Sequence, residues 1–134
     1  MRDAEHIDNV TMLDPVPKTE VWRYISILDL CLINLKKSPL FTTVIPSKIF
    51  ENAGMEIPII MGVEGEAKDI IDSYGAGLCF EPENEADFND KLDKLLADDA
   101  LYEKCKEGCR ALSNDFDRKV LAAKMLKVIE GAVE

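Results

Sequence analysis

The sequence predicts an α/β domain with a parallel sheet flanked by helices. Two observations carry this. Four apolar runs of strand length, residues 10–13 (VTML), 30–35 (LCLINL), 57–61 (IPIIM) and 77–80 (GLCF), are spread along the chain. Between and after them lie longer stretches whose apolar residues recur with the period of a helix that buries one face.

Each element has a local reason. Residues 10–13 read as a strand, ended by Asp14-Pro15-Val16-Pro17. Residues 19–28 read as a helix with Val21, Trp22, Ile25 and Leu28 on one face. The nearly continuous apolar run 30–35 is that of a strand buried on both faces. A helix over 46–53 carries Ile49, Phe50 and Ala53. Pro46 suits its first turn, where a missing N–H costs nothing, and Gly54 suits its stop. Residues 57–61 form the third strand. Ala67, Ile70, Ile71 and Tyr74 then mark a helix over 66–74, with Gly75 after it. Residues 77–80 form the fourth strand. Asn84 caps the next helix, with Asp87 near its positive end and Phe88, Leu92, Leu95 and Leu96 on its inner face. Helices over 101–112 and 118–133 follow, separated by a break at 113–117.

Composition narrows the function. The 134 residues suggest one domain, spanning 9–134 after a loose stretch 1–8. A chain this size buries roughly two-thirds of its unfolded surface, so a core forms without staples. An apolar fraction of 47% excludes a disordered tail. No run approaches the roughly 20 apolar residues of a membrane span, and the N-terminus has no secretory apolar region. A formal charge of −10 argues against nucleic acid as the partner. Cys31 and Cys79 read as small core residues, and Cys105 and Cys109 share a helix face. With His6 as the single histidine, no metal site is expected, and a reducing, cytoplasmic setting is.

In parallel sheets ligands bind beyond the carboxyl ends of the strands, which selects the loops 14–18, 36–45 and 62–65. Residues 30–50 contain no Asp or Glu but hold Lys36, Lys37 and Lys48. An even spread of carboxylates would put about four in that window. The loop is therefore locally positive and leads into a helix start at Pro46-Ser47. It reads either as a phosphate site or as a solvated lysine loop on a buried strand. Glu51, a turn further on, reads either as a ligand for a sugar's vicinal hydroxyls or as an ion-pair partner of Lys48. Gly62, Glu64, Gly65 and Glu66 surround the third strand's exit, where glycine permits close approach and Glu66 suits a helix start. Ser38, Thr42 and Thr43 offer hydroxyls, or serve the turn. Trp22 and Tyr24 read as packing residues rather than stacking platforms.

The run Ser38-Pro39-Leu40-Phe41-Thr42-Thr43-Val44-Ile45-Pro46-Ser47-Lys48-Ile49-Phe50-Glu51 closely resembles a segment of bacterial retaining glycosyltransferases of family four, GT-B-fold enzymes of the O-antigen and capsule type. Further matches follow in order. Asn9-Val10-Thr11-Met12-Leu13 with Pro15 and Pro17, Pro58-Ile59-Ile60-Met61-Gly62-Val63-Glu64-Gly65-Glu66, Gly75-Ala76-Gly77-Leu78 and Phe116-Asp117-Arg118 all fit. The resemblance covers nearly the whole chain from Asn9 to about Ile129.

The resemblance implies a partial GT-B C-terminal domain, Rossmann-like, that binds a nucleoside-diphosphate sugar as substrate and passes the sugar to a hydroxyl of a saccharide acceptor. Phosphate stabilisation and positioning carry such a transfer, with no cofactor or metal. It implies that Glu51 grips the donor ribose and that Thr43, Val44, Ile45, Pro46, Ser47 and Lys48 lie against the pyrophosphate. Gly65 and Glu66 become donor-loop contacts. Thr43 stands where many members carry a glutamate near the transferred sugar, so the catalytic residue is open. The acceptor is expected to be lipid-linked, with the parent enzyme at the inner face of the membrane. Relative to the family, an acceptor domain and two strands of this sheet are missing, so the chain alone is expected to be an inactive fragment. The sheet edge thus left bare invites a homodimer, or re-pairing of 10–13 beside 30–35. A receiver-like or protein-interaction module is the alternative, disfavoured because Asp14 stands alone where a receiver clusters carboxylates.

Overall fold

The computed structural model describes residues 8–133. His6 and most of the expected loose N-terminus lie outside the described residues. In chain order the elements are α1 (Val21–Ile25), β1 (Cys31–Asn34), a 3-10 turn (Pro39–Thr43), α2 (Lys48–Ala53), β2 (Ile59–Gly62) and α3 (Glu66–Tyr74), then β3 (Gly77–Cys79), α4 (Glu85–Ala97), α5 (Asp99–Asp115) and α6 (Arg118–Val133). The fold is α/β, as expected. The strands form a parallel sheet in the order β1-β2-β3, with Cys31 beside Ile59 and Ile59 beside Gly77.

Alternation along the strands divides the apolar residues between two layers. Ile33, Ile59 and Met61 face the main core, where they meet Ile49 and Ala53 of α2, Ala67 and Ile71 of α3, and Cys109 and Leu112 of α5. On the other face α4 covers the sheet, with Phe88 edge-on to Phe80 at 5.2 Å between ring centroids. That cover does not extend over β1, where Leu32 remains 53% exposed. The expectation of a strand buried on both faces is therefore corrected: β1 is buried on one.

The expected strand at 10–13 does not form; these residues are exposed and lie outside the sheet, which among the described residues has three strands rather than four. Four residues of strand composition can adopt an extended backbone, but a strand forms only where its ladder of hydrogen bonds is made. Nor do they re-pair beside β1. Cys31 N–H donates to Pro58 O at 3.0 Å and Leu35 N–H to Gly62 O at 3.2 Å. Alternation then turns the N–H and C=O groups of Leu32 and Asn34 outward, and no strand among the described residues meets them.

Other boundaries shift for local reasons. The helix expected over 19–28 contracts to α1, and the Ser26 hydroxyl donates to Arg23 O at its end, competing with helix continuation. Helix α2 starts at Lys48, so Pro46 precedes it rather than opening it. Gly54 stays right-handed, and the chain reverses at Glu56, with φ 56°. Asn84 caps α4 as expected, its Oδ1 accepting from Asp87 N–H at 3.1 Å. Asp98 does the same for α5, accepting from Leu101 N–H at 2.9 Å. That cap starts α5 at Asp99, and the helix continues to Asp115, so the expected break at 113–117 narrows to Phe116-Asp117. Phe116 folds back there onto Phe50, 4.9 Å between centroids, and fastens α2 to the end of α5.

Candidate functional site

The loops beyond the carboxyl ends of the strands meet along one edge of the sheet. Lys37 reaches across it, with Nζ 2.7 Å from Glu81 Oε1 and 3.8 Å from Glu64 Oε1. Its hydrogen bond to Glu81 raises the Lys37 pKa and, with one from Asn84, lowers that of Glu81. The charge expected of this loop is thus partly neutralised by residues distant in sequence. Lys36 and Lys48 have no ion-pair partner among the described residues.

The 3-10 turn absorbs two hydroxyls. Ser38 Oγ accepts from Leu40 N–H at 3.3 Å, and Thr42 Oγ1 donates to Pro39 O at 2.8 Å. The Thr43 hydroxyl is exposed and unengaged among the described residues. Val44 N–H donates to Phe41 O, Ile49 N–H to Pro46 O, and Phe50 N–H to Ser47 O. Between them, the N–H groups of Ile45, Ser47 and Lys48 meet no acceptor among the described residues. Ser47 makes no side-chain cap. Five consecutive residues therefore present three free donors to solvent, interrupted by Pro46, which has none.

Glu51 follows one turn later, its N–H donating to Ser47 O at 3.3 Å, and its exposed carboxylate has no hydrogen-bond or ion-pair partner among the described residues. The pairing with Lys48 open to it at i, i+3 does not form. Glu51 instead lines a groove of about 550 Å³ between α2 and the segment that carries α1. Val16, Lys18, Val21, Trp22, Phe50 and Met55 line it too.

Gly65 opens α3 with φ 76°, and a Cβ on it would lie 2.0 Å from Thr42 O. The space that its missing side chain leaves is filled by the backbone of the 3-10 turn. Glu66 is exposed in the first turn of α3. The structure thus brings the basic loop and the Gly65-Glu66 loop together through Thr42, while Glu51 faces the groove beside α1. Sequence reasoning selected the loop holding Lys18 but not Trp22, whose helical spacing suggested packing although it is 54% exposed. Among the described residues no cluster of His, Cys, Asp and Glu is suited to a metal ion, and no helix is long and apolar enough to cross a membrane.

A parallel α/β sheet with unengaged polar groups gathered at its carboxyl edge is an architecture that binds ligands at that edge. A family model described as glycosyl transferases group 1 matches residues 1–111, and the chain belongs to that family. Membership assigns it a glycosyltransferase activity in general, with a sugar donor and an acceptor as substrates. No curated protein and no solved structure matches it.

Proposed function

We propose that residues 9–134 are the donor-binding part of a GT-B, family-four glycosyltransferase that moves a hexosyl or N-acetylhexosaminyl unit from a nucleoside diphosphate with retention. The acceptor is a hydroxyl of a lipid-linked saccharide, used at the inner face of the membrane in polysaccharide biosynthesis. The observation that carries this reading is Glu51, a carboxylate unpaired among the described residues, one turn beyond three free N–H groups and lining a groove of nucleoside dimensions.

The chemistry follows from where charge moves. As the glycosidic bond breaks, negative charge grows on the departing diphosphate. The N–H groups of Ile45, Ser47 and Lys48, fixed before the reaction, stabilise that charge without reorganising. The Lys48 ammonium adds to this, and Val44 and Pro46 set the spacing of the donors. Glu51 accepts hydrogen bonds from the ribose hydroxyls and so fixes the leaving group relative to those donors. Gly65 and Glu66 approach the transferred sugar, and Thr43 supplies a hydroxyl to it.

Calorimetry with uridine, guanosine and adenosine 5′-diphosphates tests this. Glu51→Gln should weaken binding of the preferred nucleotide about tenfold or more, and the 2′-deoxy nucleotide should be far less sensitive to the change. Equal binding by Glu51→Gln and the wild type overturns the reading.

A further inference from the structure

We propose that Trp22 is the stacking platform for the base of the donor nucleotide. This deepens the reading above and rests on Glu51 as the ribose ligand. A nucleoside joins a flat, weakly polar ring to a hydroxylated pentose. The groove offers one surface for each: an indole for the ring and a carboxylate for the hydroxyls, in a shared space of about 550 Å³. Its remaining walls are largely apolar, from Val16, Val21, Ile25 and Phe50.

Trp22 is suited to this by how it is held. Helical spacing would place it in packing, yet 54% of it is exposed. Its Nε1–H donates to Thr19 O at 2.7 Å, which fixes the ring in place. The Arg23 guanidinium lies over the ring at 5.5 Å from its centroid. A base on the opposite ring face completes a stack of cation, indole and nucleobase. A ring already fixed loses little freedom when the ligand arrives. Lys18, at the same groove, brings an ammonium to donate to a base carbonyl.

Trp22 is the chain's single tryptophan, so intrinsic emission reports on this ring alone. The three nucleoside diphosphates are titrated against the protein with emission and calorimetry followed together, and ribose 5-phosphate serves as the control without a base. The expected result is a saturable emission change with at least one nucleotide and none with ribose 5-phosphate. Trp22→Ala should weaken that nucleotide about tenfold or more, while Trp22→Phe keeps most of the affinity. Circular dichroism of both variants, altered at an exposed position, confirms that they fold. If nucleotide binds and Glu51→Gln weakens it, but Trp22→Ala binds like the wild type with emission unmoved, the stacking role is wrong and the ribose reading stands. If no nucleotide produces heat, both fall.

Discussion

Lys37 and Glu81 meet at 2.7 Å across the carboxyl edge of the sheet, joining the exit of β1 to the exit of β3 with β2 between them. Glu64, from the exit of β2, stands 3.8 Å from the same ammonium. One cation therefore gathers the three loops at the carboxyl edge of the sheet, and its charge is spent on architecture rather than on ligand.

Acid should loosen this edge. Glu81 is held below the usual carboxylate range by hydrogen bonds from Lys37 and Asn84. Asp87 is lowered by the Glu81 N–H and by Lys91, and Glu56 by the Arg110 guanidinium. A carboxylate with a lower pKa folded than unfolded stabilises the fold above the unfolded pKa and loses that contribution as pH falls through the folded one. The melting temperature should hold from neutrality to about pH 5 and decline below about pH 4. Glu81→Gln should flatten part of that decline in thermal scans.

Gly65→Ala should destabilise the protein by about 2 kcal/mol or more, because a Cβ meets Thr42 O at 2.0 Å on a backbone with φ 76°. Denaturant unfolding measures this. The same variant should weaken nucleoside-diphosphate binding, since the basic loop must retreat to admit the methyl group.

The four thiols should resist alkylation in the native protein. Burial pushes Cys79 and Cys109 up to about 12 and also raises Cys31 and Cys105. The Cys109 thiol lies 3.2 Å from Ala76 O and 3.3 Å from Ile57 O, acceptors that hold its proton. Mass spectrometry after iodoacetamide at about pH 8 should find little modification until denaturant is added.

Phe116→Ala should cost about 2–3 kcal/mol, removing the ring stacked on Phe50 and leaving space beside α2. Because α2 carries Glu51, nucleotide affinity should fall with stability. A variant that unfolds earlier but binds as well as the wild type would separate the two.

Elements set by local chemistry were readable in advance. Helix α3 follows from the spacing of Ala67, Ile70, Ile71 and Tyr74, and α4 from the Asn84 cap, since both depend on residues within a few positions. What escaped depends on distance along the chain. Residues 10–13 have the composition of a strand but join no sheet among the described residues. Lys37 finds its partner 44 positions away, which no inspection of a lysine-rich loop reveals. The exposure of Trp22 depends on how α1 sits beside α2, which periodicity does not fix. Glu51 stood out early as a carboxylate at the end of a lysine-rich window, and the structure leaves it without the Lys48 partner that would have made it ordinary.

The half-made ladder along β1 has a practical consequence. Leu32 and Asn34 hold out backbone groups ready for any strand that arrives in register, another molecule's β1 among them. Crowded solutions of this protein thus have a built-in route to edge-to-edge joining, which the repulsion of ten net negative charges opposes only within about 8–10 Å at physiological salt. A lysine in place of Leu32 is the smallest change that would blunt that border while leaving the buried layer beneath it intact.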